Sequence, residues 1–287
     1  MHVLLIINNA VVICYFLFRM LTILRIVTER INNTHWAKKT SKTRRTIKAS
    51  RVMQTASYKE EVIFWDCDDC LYKNEWITAN LLTKRIEEFT VGRMKLPEGY
   101  AYELYKKYGT CLKGMMEEKI LSDQKSVDEY LLFAHDVELE IERDYKLREM
   151  LMKMRRDGYR MYVFTASARH HARKCLELLG VEDLFLDIID VRAVGFATKH
   201  DAIAYARAME IAEVNDPKKC VFIDDSVSNI KTAKQQGWNT VLCGTHGRDC
   251  GQILVCEEAD FIIETAHQFD TNKHIPTLAN KQPLQQT

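Results

Sequence analysis

Residues 61–72 read EVIFWDCDDCLY: four apolar side chains, Val62-Ile63-Phe64-Trp65, run directly into Asp66, Asp68 and Asp69. A run that is apolar at every position, in β-branched and aromatic residues, predicts a strand covered on both faces. Three carboxylates closing such a strand repel one another and raise each other's pKa unless a cation or a proton lies among them. Oxygen-only ligands at a strand end suit a hard ion, Mg²⁺ above all, which takes one or two carboxylates and keeps several waters. A lone DxDD also occurs as a solvated acidic turn, so its meaning depends on the rest of the chain.

Downstream of this stretch the pattern is helical. Asn74 to Val91 places Trp76, Leu81, Leu82, Ile86 and Phe89 at three- and four-residue steps. After the break at Leu96-Pro97-Glu98-Gly99, helices are expected over Tyr100–Tyr108, Leu112–Ile120 and Val127–Ile141. No strand interrupts residues 74–143, which predicts an inserted helical cap. Tyr100, Tyr102, Tyr105 and Tyr108 crowd one of its helices and are expected to form its packing face.

From Tyr145 helix and strand alternate. Strands are expected at Tyr159–Phe164, Leu184–Val191, Cys220–Ile223, Thr240–Cys243 and Ala259–Ile263. Helices are expected at Lys146–Arg156, Ala168–Leu179, Lys199–Ile211 and Val227–Gln236. Strands separated by single helices imply right-handed crossovers and a parallel sheet, so the fold class is α/β, a Rossmann-like core formed by residues 58–73 and 144–269. The polar residues 270–287 are expected to be a disordered tail.

In an open parallel sheet, ligands bind outside the carboxyl ends of the strands. Asp66 and Asp68, then Thr165 and Ser167, then Asp224, Asp225 and Ser226 all follow strands and are thereby brought to one edge. Asp66, Asp68 and Asp224 would make a cation site there, and Lys199 adds a fixed positive charge for an anion. A carboxylate beside Mg²⁺ and a lysine is a layout for phosphoryl transfer through an aspartyl-phosphate.

The remaining features bound the reading. A length of 287 residues, 47% hydrophobic and 28% charged, is that of an ordinary globular protein, and a net charge of +1 gives no reason to expect a nucleic-acid polymer as partner. Nine cysteines without framework spacing point to free thiols. Residues 1–57 stand apart. Val3 to Phe18 is nearly all apolar, and Glu29 is the only acid before Lys59. Residues 3–27 fit a membrane anchor that keeps the rest of the chain cytoplasmic; an organellar import sequence, and a translation start at Met53 giving a soluble cytoplasmic chain, are the alternatives. Cys67-x-x-Cys70 is expected to be apolar filler, and His170-His171 to lie on a solvated helix face.

DxD after a strand, Thr165 after the next, Lys199 opening a later helix and VFIDD at 221–225 together resemble the motifs of the haloacid dehalogenase superfamily. The resemblance covers about Glu61 to Gly244. DxDxxLY, the helical insertion behind it and FIDDSxxNI look most similar to its pyrimidine 5′-nucleotidase-like branch. That resemblance implies Asp66 as nucleophile and Mg²⁺ ligand, and Asp68 as general acid and base with its backbone carbonyl on the metal. It implies Thr165, with Ala166 beside it, and Lys199 as holders of the phosphoryl group. Asp224 would complete the metal site, with Asp225 in support, and Tyr108 and Thr110 of the cap would meet the substrate. The chain departs from the family pattern at Asp69, at Ala166 in place of Asn and at His200 in place of Pro. The activity implied is hydrolysis of a small phosphorylated metabolite, a nucleoside 5′-monophosphate first. Phosphoglycolate, pyridoxal phosphate, a sugar phosphate, a phosphomutase and a non-catalytic interaction protein on the same fold are the alternatives.

Overall fold

β1 (Val62–Trp65) lies at the centre of a six-stranded parallel sheet ordered β3-β2-β1-β4-β5-β6. The other strands are β2 (Arg160–Phe164), β3 (Asp187–Ile189), β4 (Cys220–Asp224), β5 (Asn239–Cys243) and β6 (Phe261–Ile263). This is a computed structural model that describes residues 58–248 and 251–275. The anchor, import and Met53 readings lie outside the described residues. Among the described residues no helix is long and apolar enough to cross a membrane.

All four β1 side chains are fully buried, as the uninterrupted apolar run predicts. Ile63 and Trp65 face α5 (Tyr145–Arg156) and α6 (Arg169–Leu179), packing with Leu147, Leu151, Cys175 and Leu176. Val62 and Phe64 face α7 (Ala202–Ile211) and α8 (Val227–Gln235), packing with Ala204, Tyr205, Ile230 and Trp238. Burying each such side chain stabilises the fold by about 1.5–3 kcal/mol. The chain builds β2 and β3 on one side of β1 and then returns to place β4 on the other. This reversal opens a crevice at the carboxyl ends of β1 and β4.

The cap comprises α1 (Ile77–Glu87), a π-helical turn (Glu88–Arg93), α2 (Tyr100–Tyr108), α3 (Cys111–Glu117) and α4 (Gln124–Ala134). Local chemistry sets these boundaries. Gly99 and Gly109 bracket α2 in the left-handed conformation, Thr110 caps α3, and Asp123 with Ser126 forms a capping box on α4. Phe89, Leu104, Leu112, Met115, Tyr130 and Leu131 form its core, which extends onto Ala168 and Val191 below.

Four expectations are corrected. The last cap helix ends at Ala134, not Ile141. In the segment that follows, Val137, Leu139 and Ile141 alternate with acids, and Leu139 and Ile141 pack on the main core, a period of two that suits extended chain. Only half of the tyrosine row of α2 packs: Tyr100 and Tyr108 lie against the cap core with the buried Ala101 and Leu104, while Tyr102 and Tyr105 are exposed. Lys199 does not open a helix, since α7 begins at Ala202. The fold also continues past Asp270, which caps α9 (Thr271–His274), with Ile275 fully buried in the main core.

Candidate active site

Trp65 of β1 pairs with Ile223 of β4, so Asp66 and Asp224 emerge side by side from adjacent strands. Carboxylates this close and this buried need a positive charge. Lys199 provides it: its Nζ donates to Asp66 Oδ1 at 2.5 Å and to Asp224 Oδ2 at 2.8 Å. The lysine is aimed by its local turn. Asp201 Oδ2 accepts from the Thr198 amide and hydroxyl, and the Tyr205 hydroxyl donates to the Lys199 carbonyl at 2.9 Å. Burial alone would pull the ammonium down, but Asp224 and Asp66 outweigh it and hold Lys199 above its ordinary value.

One ammonium does not neutralise the whole group. Oxygens of Asp66, Asp224 and Asp225 all lie within 4.8 Å of one another. Burial pushes the Asp66 carboxyl up to about 7; Lys199 offsets part of this and Asp224 adds to it. Burial, with Asp224 and Asp66 adding, also raises Asp225 well above the carboxylate range. An oxygen-only group carrying more negative charge than its ammonium can balance fits a hard divalent cation. The two acids of β4 differ in how fully they are engaged. Asp224 Oδ1 accepts from the Ser226 amide and Asn229, and its Oδ2 accepts from Lys199 and Asn229. Asp225 is the arm of the pair best able to turn to an ion.

Asp68 sits in a separate donor set. Its Oδ1 takes the Tyr72 hydroxyl at 2.6 Å and His171 Nε2 at 2.8 Å, and its Oδ2 takes the Ser167 hydroxyl at 2.8 Å. Burial would raise its pKa, but the charge and hydrogen bond of His171, with Tyr72 and Ser167, hold it well below the carboxylate range. His171 moves the other way: burial lowers it, Asp68 outweighs burial, and its pKa is pushed up to about 10. Asp68 and His171 therefore form a buried ion pair that holds one proton. Asp69, in the family's Asn position, adopts a left-handed φ of 57°, a conformation Asp tolerates better than most residues.

Thr165 is buried at the end of β2, its hydroxyl accepting from the Ser167 amide, while Ala166 is exposed beside it. Ser167, the candidate replacement for the missing Asn, gives its hydroxyl to Asp68. Thr110 caps α3 and the Tyr108 hydroxyl donates to Glu118, so both polar groups are occupied within the cap. Gly109 between them packs against the core loop. A Cβ there would lie 2.8 Å from His200 Nδ1 and 3.1 Å from Thr198 Oγ1. Lys113 to Asp201 at 2.7 Å and Arg192 to Asp128 at 2.6 Å further tie the cap to the core. From the cap side His135 reaches the α6 start, accepting from the Ala168 amide at 3.3 Å.

Asp66, Asp68, Lys199, Asp224 and Asp225 thus gather at one end of the sheet, as the motifs imply. Reading the sequence missed His171, Tyr72, Ser167's bond to Asp68 and Asn229. His171 is buried, against the expectation of a solvated face. The signal was present: His171, Ala172, Cys175, Leu176 and Leu179 recur at three- and four-residue steps along α6, and all are buried.

Residues 60–237 match the family model for haloacid dehalogenase-like hydrolases. Phosphate metabolism protein 8 of Saccharomyces cerevisiae is 25% identical over 195 residues, which span 63% of this chain and 61% of that protein. The chain therefore matches only about three-fifths of the length of this relative. Among solved structures, β-phosphoglucomutase from Clostridium difficile superposes with a TM-score of 0.55 at 16% identity, covering 77% of this chain and 97% of that one. CbbY from Rhodobacter sphaeroides, in complex with xylulose-(1,5)bisphosphate, gives a TM-score of 0.54 at 19% identity over 72% and 95% of the two chains. At these identities the two structures establish the shared fold. With a family model that spans the central strand, the cap and the lysine loop through to β4, the chain belongs to the haloacid dehalogenase-like hydrolases.

Proposed function

We propose that this hydrolase is an Mg²⁺-dependent phosphatase for a small phosphomonoester, with a nucleoside 5′-monophosphate as the leading substrate, working through an aspartyl-phosphate on Asp66. The observation that carries the reading is the pairing of Lys199 with both Asp66 and Asp224 at the carboxyl ends of adjacent strands. A second acid, Asp68, lies two residues from the first with its own donors. The name of the yeast relative, Phosphate metabolism protein 8, supports phosphate chemistry. A non-catalytic role would leave the mutual repulsion of Asp66, Asp224 and Asp225 without a purpose.

The residues divide the work as follows. An Asp66 oxygen attacks phosphorus, and the bond from phosphorus to the leaving oxygen breaks. The leaving alkoxide takes the single proton of the Asp68–His171 pair, which passes from His171 through Asp68 across their 2.8 Å bond. Water then gives a proton to Asp68 and attacks the aspartyl-phosphate, which releases phosphate and restores the Asp66 carboxylate. Lys199 and the Thr165 hydroxyl hold the phosphoryl oxygens. Asp66 and Asp225 would hold the Mg²⁺ with the Asp68 carbonyl, while Asp224 orients Lys199. The ion, when bound, neutralises charge on the acids and the phosphoryl group. The cap excludes water from the crevice and selects the substrate through the Tyr108–Gly109–Thr110 loop beside Thr198 and His200.

A panel of nucleoside monophosphates, phosphoglycolate, pyridoxal phosphate and sugar phosphates, assayed for phosphate release with Mg²⁺, tests this. Release from at least one nucleotide, and none from Asp66→Asn, is expected. Isomerised sugar phosphate without phosphate release would make the protein a mutase. Inertness toward the whole panel would refute the phosphatase reading.

A further inference from the structure

Beside Asp68 lies a second cluster, in which Asp68 and His171 meet two thiols that the phosphatase reading does not use. Cys67 Sγ, an Asp68 oxygen and Cys175 Sγ all lie within 4.8 Å of one another. His171 Nε2 is 2.8 Å from Asp68 Oδ1 and 3.6 Å from Cys175 Sγ. Both cysteines are fully buried, and His171 is 1% exposed. The cluster opens only through Asp68, whose side chain is 19% exposed.

We propose that Cys67, Cys175, His171 and Asp68 form a binding site for one thiophilic divalent cation, Zn²⁺ or its analogue Co²⁺, distinct from the all-oxygen site at Asp66 and Asp225. Two thiols, an imidazole and a carboxylate are a complete tetrahedral donor set for zinc. With zinc–sulfur bonds near 2.3 Å and zinc–nitrogen bonds near 2.0–2.1 Å, a tetrahedral N···S edge is about 3.6 Å. The His171–Cys175 separation is 3.6 Å. The 2.8 Å Asp68–His171 contact must widen by about half an ångström as the proton between them is replaced by the ion, and His171, which stands outside the three groups that lie within 4.8 Å of one another, must swing toward Cys67. That exchange keeps a positive centre beside the carboxylate, so its charge is not stranded by losing the imidazolium. The thiols lose their protons to solvent on binding. Among the described residues His171 Nδ1 has no hydrogen-bond partner, so the orienting contact usual for a metal-bound imidazole is missing and the thiolates carry most of the affinity.

The site stands without the phosphatase reading, but its effect on turnover rests on that reading. An ion on the Asp68 carboxylate removes the group that exchanges protons with the leaving alcohol and with water. Hard Mg²⁺ does not compete for a dithiol site, so extra Mg²⁺ would not relieve the inhibition.

Co²⁺ titrated into the full-length protein at saturating Mg²⁺ reads binding apart from activity. The expected result is a thiolate-to-cobalt charge-transfer band with tetrahedral ligand-field bands, saturating at one equivalent and displaced by Zn²⁺. Asp225→Asn should retain the band and Cys175→Ala should lose most of its intensity. Should Cys175→Ala fail to fold, Cys175→Ser, which keeps the shape of the side chain and removes the thiolate, serves instead and should lose most of the charge-transfer intensity. Absence of the band in wild type, or its persistence at full intensity in folded Cys175→Ala or Cys175→Ser, would overturn the site. Zn²⁺ should also slow phosphate release about 100-fold, the scale of losing an acid–base group. A protein that shows the band but hydrolyses nothing would keep the metal site and refute the phosphatase reading.

Discussion

Replacing Lys199 with Met removes the one ammonium that bridges Asp66 and Asp224 at 2.5 and 2.8 Å while keeping an unbranched side chain in the same space. Both carboxylates are buried, Asp224 completely, so neither regains water when the lysine is lost. Breaking a buried pair by removing one partner costs about 3–5 kcal/mol. For a domain of this size each kcal/mol moves the melting temperature by about 2–4 °C, so the variant should melt roughly 6–20 °C below wild type. The loss must depend on pH with a definite sign. The folded-state pKa of Asp66, at about 7, is raised above its unfolded value. Its stability contribution is therefore fully present below the unfolded value near 4 and is lost as pH rises through about 7. Without Lys199 the Asp66 carboxyl binds a proton more readily still, so the deficit should be large at pH 8 in EDTA and small at pH 5.5. Millimolar Mg²⁺ at pH 8 should recover more of it in the variant than in wild type. Thermal melts at both pH values, with and without Mg²⁺, measure all of this. A variant that melts within about 2 °C of wild type at pH 8, or whose deficit is equal at the two pH values, would show that Lys199 does not balance these acids.

The two acids of β4 should separate under substitution. Asp225→Asn is expected to raise the Mg²⁺ concentration needed for half-maximal phosphate release with little change in melting. Asp224→Asn should lower stability by about 1–3 kcal/mol, because the contacts of Lys199 and Asn229 lose their acceptor; identical behaviour in both assays would contradict the division of roles. Gly109→Ala adds a Cβ 2.8 Å from His200 Nδ1 at a φ of +85°, at an intrinsic cost of about 1–2 kcal/mol. It should lower kcat/KM for a nucleotide more than for p-nitrophenyl phosphate, and equal losses would mean that the loop does not select substrate.

How legible the sequence was depended on whether a signal was local. β1 is apolar at every position and β4 is apolar up to Asp224, and no helical or half-exposed pattern competes with that reading. The acids that follow them could be assigned to one place because a parallel sheet gathers its carboxyl ends. The cap–core return is hard to read because Val127 to Ala134 continues into Val137, Leu139 and Ile141 without a glycine or proline between them, and only the change of period separates helix from extended chain. Lys199 was placed on a helix because the turn that holds it, from Thr198 to Asp201, carries no glycine or proline to mark it. His171 was discounted because its neighbours Arg169, His170 and Arg173 are polar; its partner, Asp68, is 103 residues away and no local pattern points to it. The donors on Asp68 are what the sequence could not supply. The neighbouring carboxylates argue for a raised Asp68 pKa, whereas His171, Tyr72 and Ser167 lower it.

The central claim is that Asp66 carries the phosphoryl group, and trapping that group tests it most directly. Asp68→Asn, given p-nitrophenyl phosphate and Mg²⁺, should form the acyl phosphate, because this leaving group needs little protonation, and then hydrolyse it slowly for want of a base. Rapid quenching, borohydride reduction and peptide sequencing should then find homoserine at position 66 and nowhere else. Fast phosphate release with no modified residue, or homoserine at another aspartate, would contradict the account.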